Sequence, residues 1–173
     1  YYGSHDTSIK VKKQIQWNQQ TKEMVWTEIV SEKIRKQADH LEERGYAERA
    51  ETLRQYVREM DFADANNREG HAAKVYFNTL FGLDFSRSKD NSINAALNYG
   101  YGVLLSYFNR EIVANGYITQ LGLCHDNMFN QFNLASDLME PFRILIDRKV
   151  VQMLPEKFDH EEKMHLVATL NEE

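Results

Sequence analysis

Apolar positions recur at helical spacing through most of the chain. Trp26, Ile29, Val30, Ile34, Ala38 and Leu41 step by three and four, which is the buried stripe of an amphipathic helix. Asp6 and Thr7 offer an N-cap from which one long helix runs with few interruptions until Gly45 ends it. Ala50, Leu53, Val57 and Met60 predict a second helix from Ala47 to Met60, and the two read as a hairpin. The stretch DFADANN then supplies turn and cap residues. Asn66 or Asn67 caps a third helix with Glu69 in its first turn. Ala72, Ala73, Tyr76, Phe77 and Leu80 form its buried side, and Gly82 stops it. Beyond the polar, loop-like GLDFSRSKDNS, a further helix lines up Ile93, Ala96, Leu97, Gly100, Leu104 and Phe108. Gly100 and Gly102 inside it each cost up to about 1 kcal/mol relative to alanine, which implies close helix packing. The pattern predicts an all-α helical bundle, with any strand confined to the first few residues.

Composition narrows the class. The 173 residues, 42% hydrophobic and 27% charged, suffice for one globular core. A single cysteine, Cys124, forms no internal disulfide. The chain carries no apolar run of membrane-spanning length and no signal peptide, so a cytoplasmic protein without a membrane partner is expected. A net charge of −5, taken whole, speaks against a nucleic-acid partner, because phosphate binding rests on Lys and Arg. Its distribution changes that. Residues 67–149 hold eight basic and eight acidic residues, whereas residues 150–173 hold two lysines and six acids. The acidity belongs mostly to the tail.

Candidate chemistry collects in GYITQLGLCHDNMFNQFNLASDLMEPFRILIDR, residues 116–148. It contains the lone His125 and sets Asp137 and Glu140 three apart among Leu138, Met139 and Phe142. On a helix that spacing places the two carboxylates about 60° apart on one face. Acids in an apolar frame are costly when buried unless a cation or donors replace their water. Either Arg143 pairs with Glu140 as structure, or a metal sits between the acids and His125. Glu69 has an ordinary explanation as a first-turn acid facing the helix dipole. HEEKMH places His160 and His165 five apart, one too many for a zinc-protease helix.

LASDLMEPFR following GYITQLGLCH resembles the active-site region of the CRISPR-associated adaptation integrase family. RKQADHLEERG, REGHAAKVYFNTLFGLDFSR and NSINAALNYGYGVLLSY agree with it in order, with the flavour of type II systems. The resemblance implies that residues 1–6 are the remnant of an interdomain linker after the family's β-domain, and that residues 7–170 are the helical catalytic domain. It implies a metal-dependent DNA endonuclease and integrase that inserts prespacer DNA into a CRISPR array by 3′-hydroxyl attack on a phosphodiester. By the same resemblance Glu69, His125 and Glu140 are metal ligands for Mg²⁺ or Mn²⁺ and, with Asp137, the catalytic set. Many family members carry Asp where this chain has Glu140. Arg143 and Arg148, with Arg87 and Lys74 behind them, are candidate contacts to prespacer and repeat DNA, and Asn98 and Tyr101 match a run near the family's active site. The implied partners are a second copy in the full-length protein and a small ferredoxin-like CRISPR-associated subunit. Two other readings of the residues are a different metal-dependent hydrolase on a helical bundle and a non-catalytic helical adaptor.

Overall fold

A computed structural model of the chain describes residues 6–172, with side chains through residue 168. The helices are α1 (Thr7–Ile15), α2 (Gln19–Glu43), α3 (Ala47–Arg58), α4 (Arg68–Phe81), α5 (Ser92–Ala114), α6 (Asn133–Leu138), α7 (Arg143–Met153) and α8 (His160–Glu172), with 3-10 turns at Phe62–Asp64 and Glu140–Phe142. Among the described residues there is no strand, and no helix is long and apolar enough to cross a membrane. The expected linker falls almost wholly outside the described residues, as do any early strands.

The long first helix of the sequence reading is two helices. The chain breaks after Ile15, and Asn18 starts α2 afresh, its side chain accepting from the Thr21 N–H at 2.8 Å. An asparagine carboxamide offers the backbone a competing partner and so favours a cap over a helix interior. The separate α1 then has a task of its own. Gln14, buried, donates to the carbonyls of Ile118 and Leu121 and accepts from the Ile118 N–H, which ties α1 to the loop leading into His125.

Helix α2 is the spine. Trp26, Val30, Ile34, Ala38 and Leu41 are buried on one side of it, and α3, α4 and α7 pack against it. The α2–α3 hairpin forms as the pattern predicts, although α3 stops at Arg58 rather than Met60. Ala72, Tyr76 and Phe77 of α4 and Ala96, Leu97 and Leu104 of α5 complete the main core with Ile144, Ile146 and Val150 of α7. Close packing explains one of the two helical glycines. A Cβ on Gly100 would sit 2.4 Å from Ile146 Cγ2, whereas Gly102 faces open space. A smaller cluster of Ile112, Leu123, Leu134 and Ala135 seats the loop between α5 and α6.

Candidate active site

Asp137 and Glu140 do not share a helical face. Helix α6 ends at Leu138 and Glu140 opens a 3-10 turn with Pro141 inside it; proline removes the N–H that would have continued an α-helix. The tighter turn sends the two carboxylates to different places.

Asp137 is fully buried and points into the preceding loop. Its carboxylate accepts from the backbone N–H groups of Leu123 (2.6 Å), Cys124 (3.1 Å) and His125 (3.2 Å), and from Nδ1 of His125. Four donors replace the water lost on burial. Gly122 makes this wrap sterically open, because a Cβ there would lie 2.4 Å from the His125 carbonyl oxygen and 2.8 Å from Asp137 Oδ2. A carboxylate only accepts, so Nδ1 of His125 carries the proton and Nε2 is left as the ring's acceptor. The Asp137 bond, partly opposed by burial, raises the His125 pKa above its ordinary value, and Glu140 and Glu69 add to the rise.

Glu140 faces the bundle interior, 4% exposed, and meets two cations: Arg143 at 2.8 Å on one oxygen and Lys33 of α2 at 2.5 Å on the other. Lys33 Nζ also lies 2.5 Å from Glu69 Oε1. Glu69 is brought there by a tightly determined turn. Ala63, Asp64 and Asn67 all have positive φ, and Asp64 accepts from the N–H groups of Arg68 and Glu69 while Asn67 accepts from Gly70. Asp and Asn tolerate the left-handed region better than most residues. Burial disfavours the charged form of both Lys33 and Glu140, yet their mutual attraction prevails. The Lys33 pKa is raised and the Glu140 pKa lowered, with Glu69 and Arg143 contributing respectively.

Thus Glu69 and Glu140, far apart in sequence, converge on one positive charge. They line a cavity of about 220 Å³ with Lys33, Gln37, Arg87, Tyr101, Arg143 and Asp147 among the other walls. Two carboxylate oxygens meeting at a cation are the hard donors a divalent ion selects. His125, its Nδ1 fixed by a carboxylate, has the arrangement usual for a metal-ligating histidine. Among the described residues, however, no three of His, Cys, Asp and Glu are gathered closely enough to hold one ion as placed. The acid pair fits a cation, and His125 is not among the residues that line their cavity.

Residues 2–167 match the family model described as CRISPR associated protein Cas1. The chain belongs to the Cas1 family. It is 37% identical over 176 residues to the CRISPR-associated endonuclease Cas1 of Neisseria meningitidis serogroup C (strain 8013), an alignment that covers 98% of this chain and 58% of that protein. The chain therefore spans little more than half the length of that relative. The fold is that of the Cas1 protein from Thermotoga maritima (TM-score 0.78, 20% identity, 99% of this chain and 64% of that one). It is also shared by a casposase bound to integration product (TM-score 0.75, 19% identity, 96% and 60%) and by a partial Cas6-RT-Cas1–Cas2 complex (TM-score 0.77, 19% identity, 98% and 64%).

The candidate DNA contacts of this Cas1 chain divide in two. Arg87 and Arg143 line the acidic cavity. The Arg87 guanidinium donates to Asn94 and, at 2.5 Å, to Asn98, and it lies between the rings of Phe77 and Tyr101. Asn98 thus serves by fixing Arg87. Lys74 lines a different groove with Tyr46, Arg49 and Leu83, and Arg148 pairs with Glu43 at 2.7 Å. Neither borders the Glu69–Glu140 cavity. Tyr101 is buried and donates to Asp147, a fully enclosed acid on α7, while its ring carries the Arg143 guanidinium 4.4 Å from the centroid.

Lys33 and Asp147 escaped the sequence reading, and a signal existed for each. Lys33 stands three residues after Val30 and four before Gln37, both buried, which puts it on the flank of the apolar stripe. Asp147 lies among Ile144, Ile146, Val150 and Val151, an acid in an apolar frame like Asp137.

Proposed function

We propose that this Cas1 chain carries the catalytic centre of a divalent-metal-dependent DNA endonuclease and integrase, with Mg²⁺ or Mn²⁺ held by Glu69, Glu140 and Nε2 of His125. The observation that carries the reading is the convergence of Glu69 and Glu140 on one cation, inside a cavity that Arg87 and Arg143 also line. At about 220 Å³ the cavity is smaller than the roughly 300–1,000 Å³ of a pocket for a whole drug-sized ligand, and it suits a phosphodiester group. A bound divalent ion supplies Lewis-acid polarisation of that phosphate.

The chain's own residues do the rest. Asp137 holds the His125 ring through Nδ1, which leaves Nε2 as the nitrogen that a metal ion would take in place of a proton. Arg143 braces Glu140, and Arg87, pinned by Asn94 and Asn98 between two rings, presents a fixed guanidinium to phosphate. The 3′-hydroxyl of a prespacer end attacks a phosphodiester at the edge of the CRISPR repeat. One phosphorus–oxygen bond forms as another breaks, the attacking hydroxyl gives its proton to solvent, and the displaced repeat strand takes one up and departs as a 3′-hydroxyl. Water in place of the hydroxyl gives endonuclease activity. No nucleotide cofactor enters this balance.

In this reading residues 7–170 are the helical catalytic domain, and residues 1–6 belong to a linker. The whole protein works in the cytoplasm as a homodimer with a small ferredoxin-like CRISPR-associated subunit. The likeness to the Cas1–Cas2 assembly and to the casposase with its product supports both the partner and the integration step.

The test is strand transfer by the full-length protein with prespacer and repeat DNA in Mn²⁺. Wild type transfers strands, a chelator stops it, and Glu140→Gln or His125→Ala abolishes it with far-UV circular dichroism unchanged. Transfer that survives either substitution would overturn the assignment. A helical adaptor, in which the Lys33 bridge is plain structure, would neither transfer strands nor bind Mn²⁺.

A further inference from the structure

Lys33 does more in this geometry than neutralise two acids. Its Nζ stands 2.5 Å from Glu69 Oε1 and 2.5 Å from Glu140 Oε2, and its side chain is only 13% exposed. Any divalent ion shared by those oxygens must occupy the same small region, since it takes oxygen ligands at about 2.0–2.6 Å. The ammonium and the ion therefore exclude each other, sterically and by charge. Arg143 is differently placed: it grips the other oxygen of Glu140 at 2.8 Å, outside the shared gap, with its guanidinium over the Tyr101 ring.

We propose that Lys33 is a built-in competitor for the metal, which holds Glu69 and Glu140 together and yields the gap to the ion by swinging its ammonium toward the phosphate of the DNA substrate. The inference rests on the metal site proposed above and adds a second state of one side chain. Lysine suits the task, being a point charge on a flexible four-carbon stem, where the planar arginine fork would be harder to relocate. Charge supplies the direction. With the pair's two negative charges taken by a divalent ion, Lys33 and Arg143 are in excess, and a phosphodiester in the same cavity is the anion that balances them. Metal and DNA then bind cooperatively, and by linkage each strengthens the other equally.

The structure's demand on Lys33 separates this from a plain salt bridge. A structural bridge, once removed, leaves a weakened fold and no gain anywhere. A competitor, once removed, leaves two carboxylates that repel one another and take up a cation more readily.

The experiment is titration of Mn²⁺ into the full-length protein by isothermal calorimetry, for wild type, Lys33→Met and Lys33→Gln, with thermal melting to show that each is folded. Lys33→Gln keeps a polar group in the gap should the methionine variant fail to fold. The competitor predicts Mn²⁺ binding tighter on the order of tenfold in the variants, within the roughly 5–150-fold span of ordinary site coupling, together with slower strand transfer. It also predicts that a non-cleavable DNA duplex tightens Mn²⁺ binding in wild type much more than in the variants. Equal or weaker Mn²⁺ binding by a folded variant, with wild type binding normally, overturns the inference and leaves the metal site standing. Absence of Mn²⁺ binding in wild type and variants alike overturns both.

Discussion

His125 and Asp137 are locked together from two sides, since the Asp137 carboxylate holds both the His125 ring through Nδ1 and the His125 backbone N–H at 3.2 Å. The ring cannot tilt without disturbing the loop from Leu123 to His125, whose N–H groups the same carboxylate collects. Asp137 thereby fixes the His125 ring, and it is not among the walls of the Glu69–Glu140 cavity.

Substitution there should couple fold and chemistry. Asp137→Ala leaves three backbone N–H groups, that of Leu123 buried, and the ring without their acceptor, so it should lower stability by about 3–5 kcal/mol, as breaking a buried charged network does. Asp137→Asn keeps one accepting oxygen and should cost less stability. It should still weaken Mn²⁺ binding by roughly 10–100-fold, the usual effect of losing the partner that orients a metal-bound histidine. Chemical denaturation and calorimetry check the pair. An asparagine variant with wild-type Mn²⁺ affinity would contradict the role.

Two buried groups give opposite pH dependences. His40, hydrogen-bonded to Tyr76 at 2.8 Å, has its pKa pushed down to about 4, first by burial and then by Arg148. The unfolded chain binds more protons between about 4 and 6.5, so this contribution is full above 6.5 and is lost as pH falls toward 4. Asp147 is pushed up to about 6 by burial. The native state binds the extra proton between 3.8 and about 6, so its contribution is greatest at low pH and is lost as pH rises through 6. Each shift is worth on the order of 3 kcal/mol, and the two largely cancel. Asp147→Asn should therefore make the domain lose stability more steeply than wild type between pH 6.5 and 4, and His40→Gln should tilt the profile the other way. Urea midpoints across that range decide it; parallel profiles for all three proteins would contradict the assignment.

Tyr101 joins the buried acid to the cavity. Tyr101→Phe keeps the ring under Arg143 but removes the bond to Asp147, leaving a buried carboxylate short of a donor. A loss of about 1–3 kcal/mol is expected, together with weaker strand transfer as Arg143 loses its fixed platform. A variant that melts lower but transfers strands at the wild-type rate would confine Tyr101 to structure.

The glycines of α5 should part company. Gly100→Ala drives a methyl against Ile146 Cγ2 at 2.4 Å, an overpacking worth about 1–3 kcal/mol that outweighs the gain in helix propensity. Gly102→Ala meets nothing within 4 Å and should stabilise the helix by up to about 1 kcal/mol. Thermal melting of the two variants checks the contrast, and equal shifts would refute it.

The sequence legibly carried what depends on periodicity. The buried stripe of α2, the α2–α3 hairpin and the buried side of α4 follow from apolar spacing, and Gly82 stops α4 as expected. The break at Asn18 was less visible, because no proline or glycine marks it and only a side-chain cap competes with the helix. The split between Asp137 and Glu140 depends on Pro141 converting a helical turn into a 3-10 turn, which a spacing rule built on 3.6 residues per turn does not foresee. Family resemblance named Glu69, His125, Asp137 and Glu140. It could not reveal that Lys33 bridges two of them, since that contact joins residues 36 and 107 positions apart and exists only in the tertiary fold.

The central claim is that Glu69, Glu140 and His125 hold one divalent ion, and Mn²⁺ anomalous scattering from crystals of the full-length protein tests it most directly. The account predicts a single peak at about 2.0–2.6 Å from Glu69 Oε1, Glu140 Oε2 and Nε2 of His125, with Lys33 Nζ withdrawn from the gap. Saturating Mn²⁺ that leaves Lys33 between the two carboxylates and no peak beside His125 would contradict it.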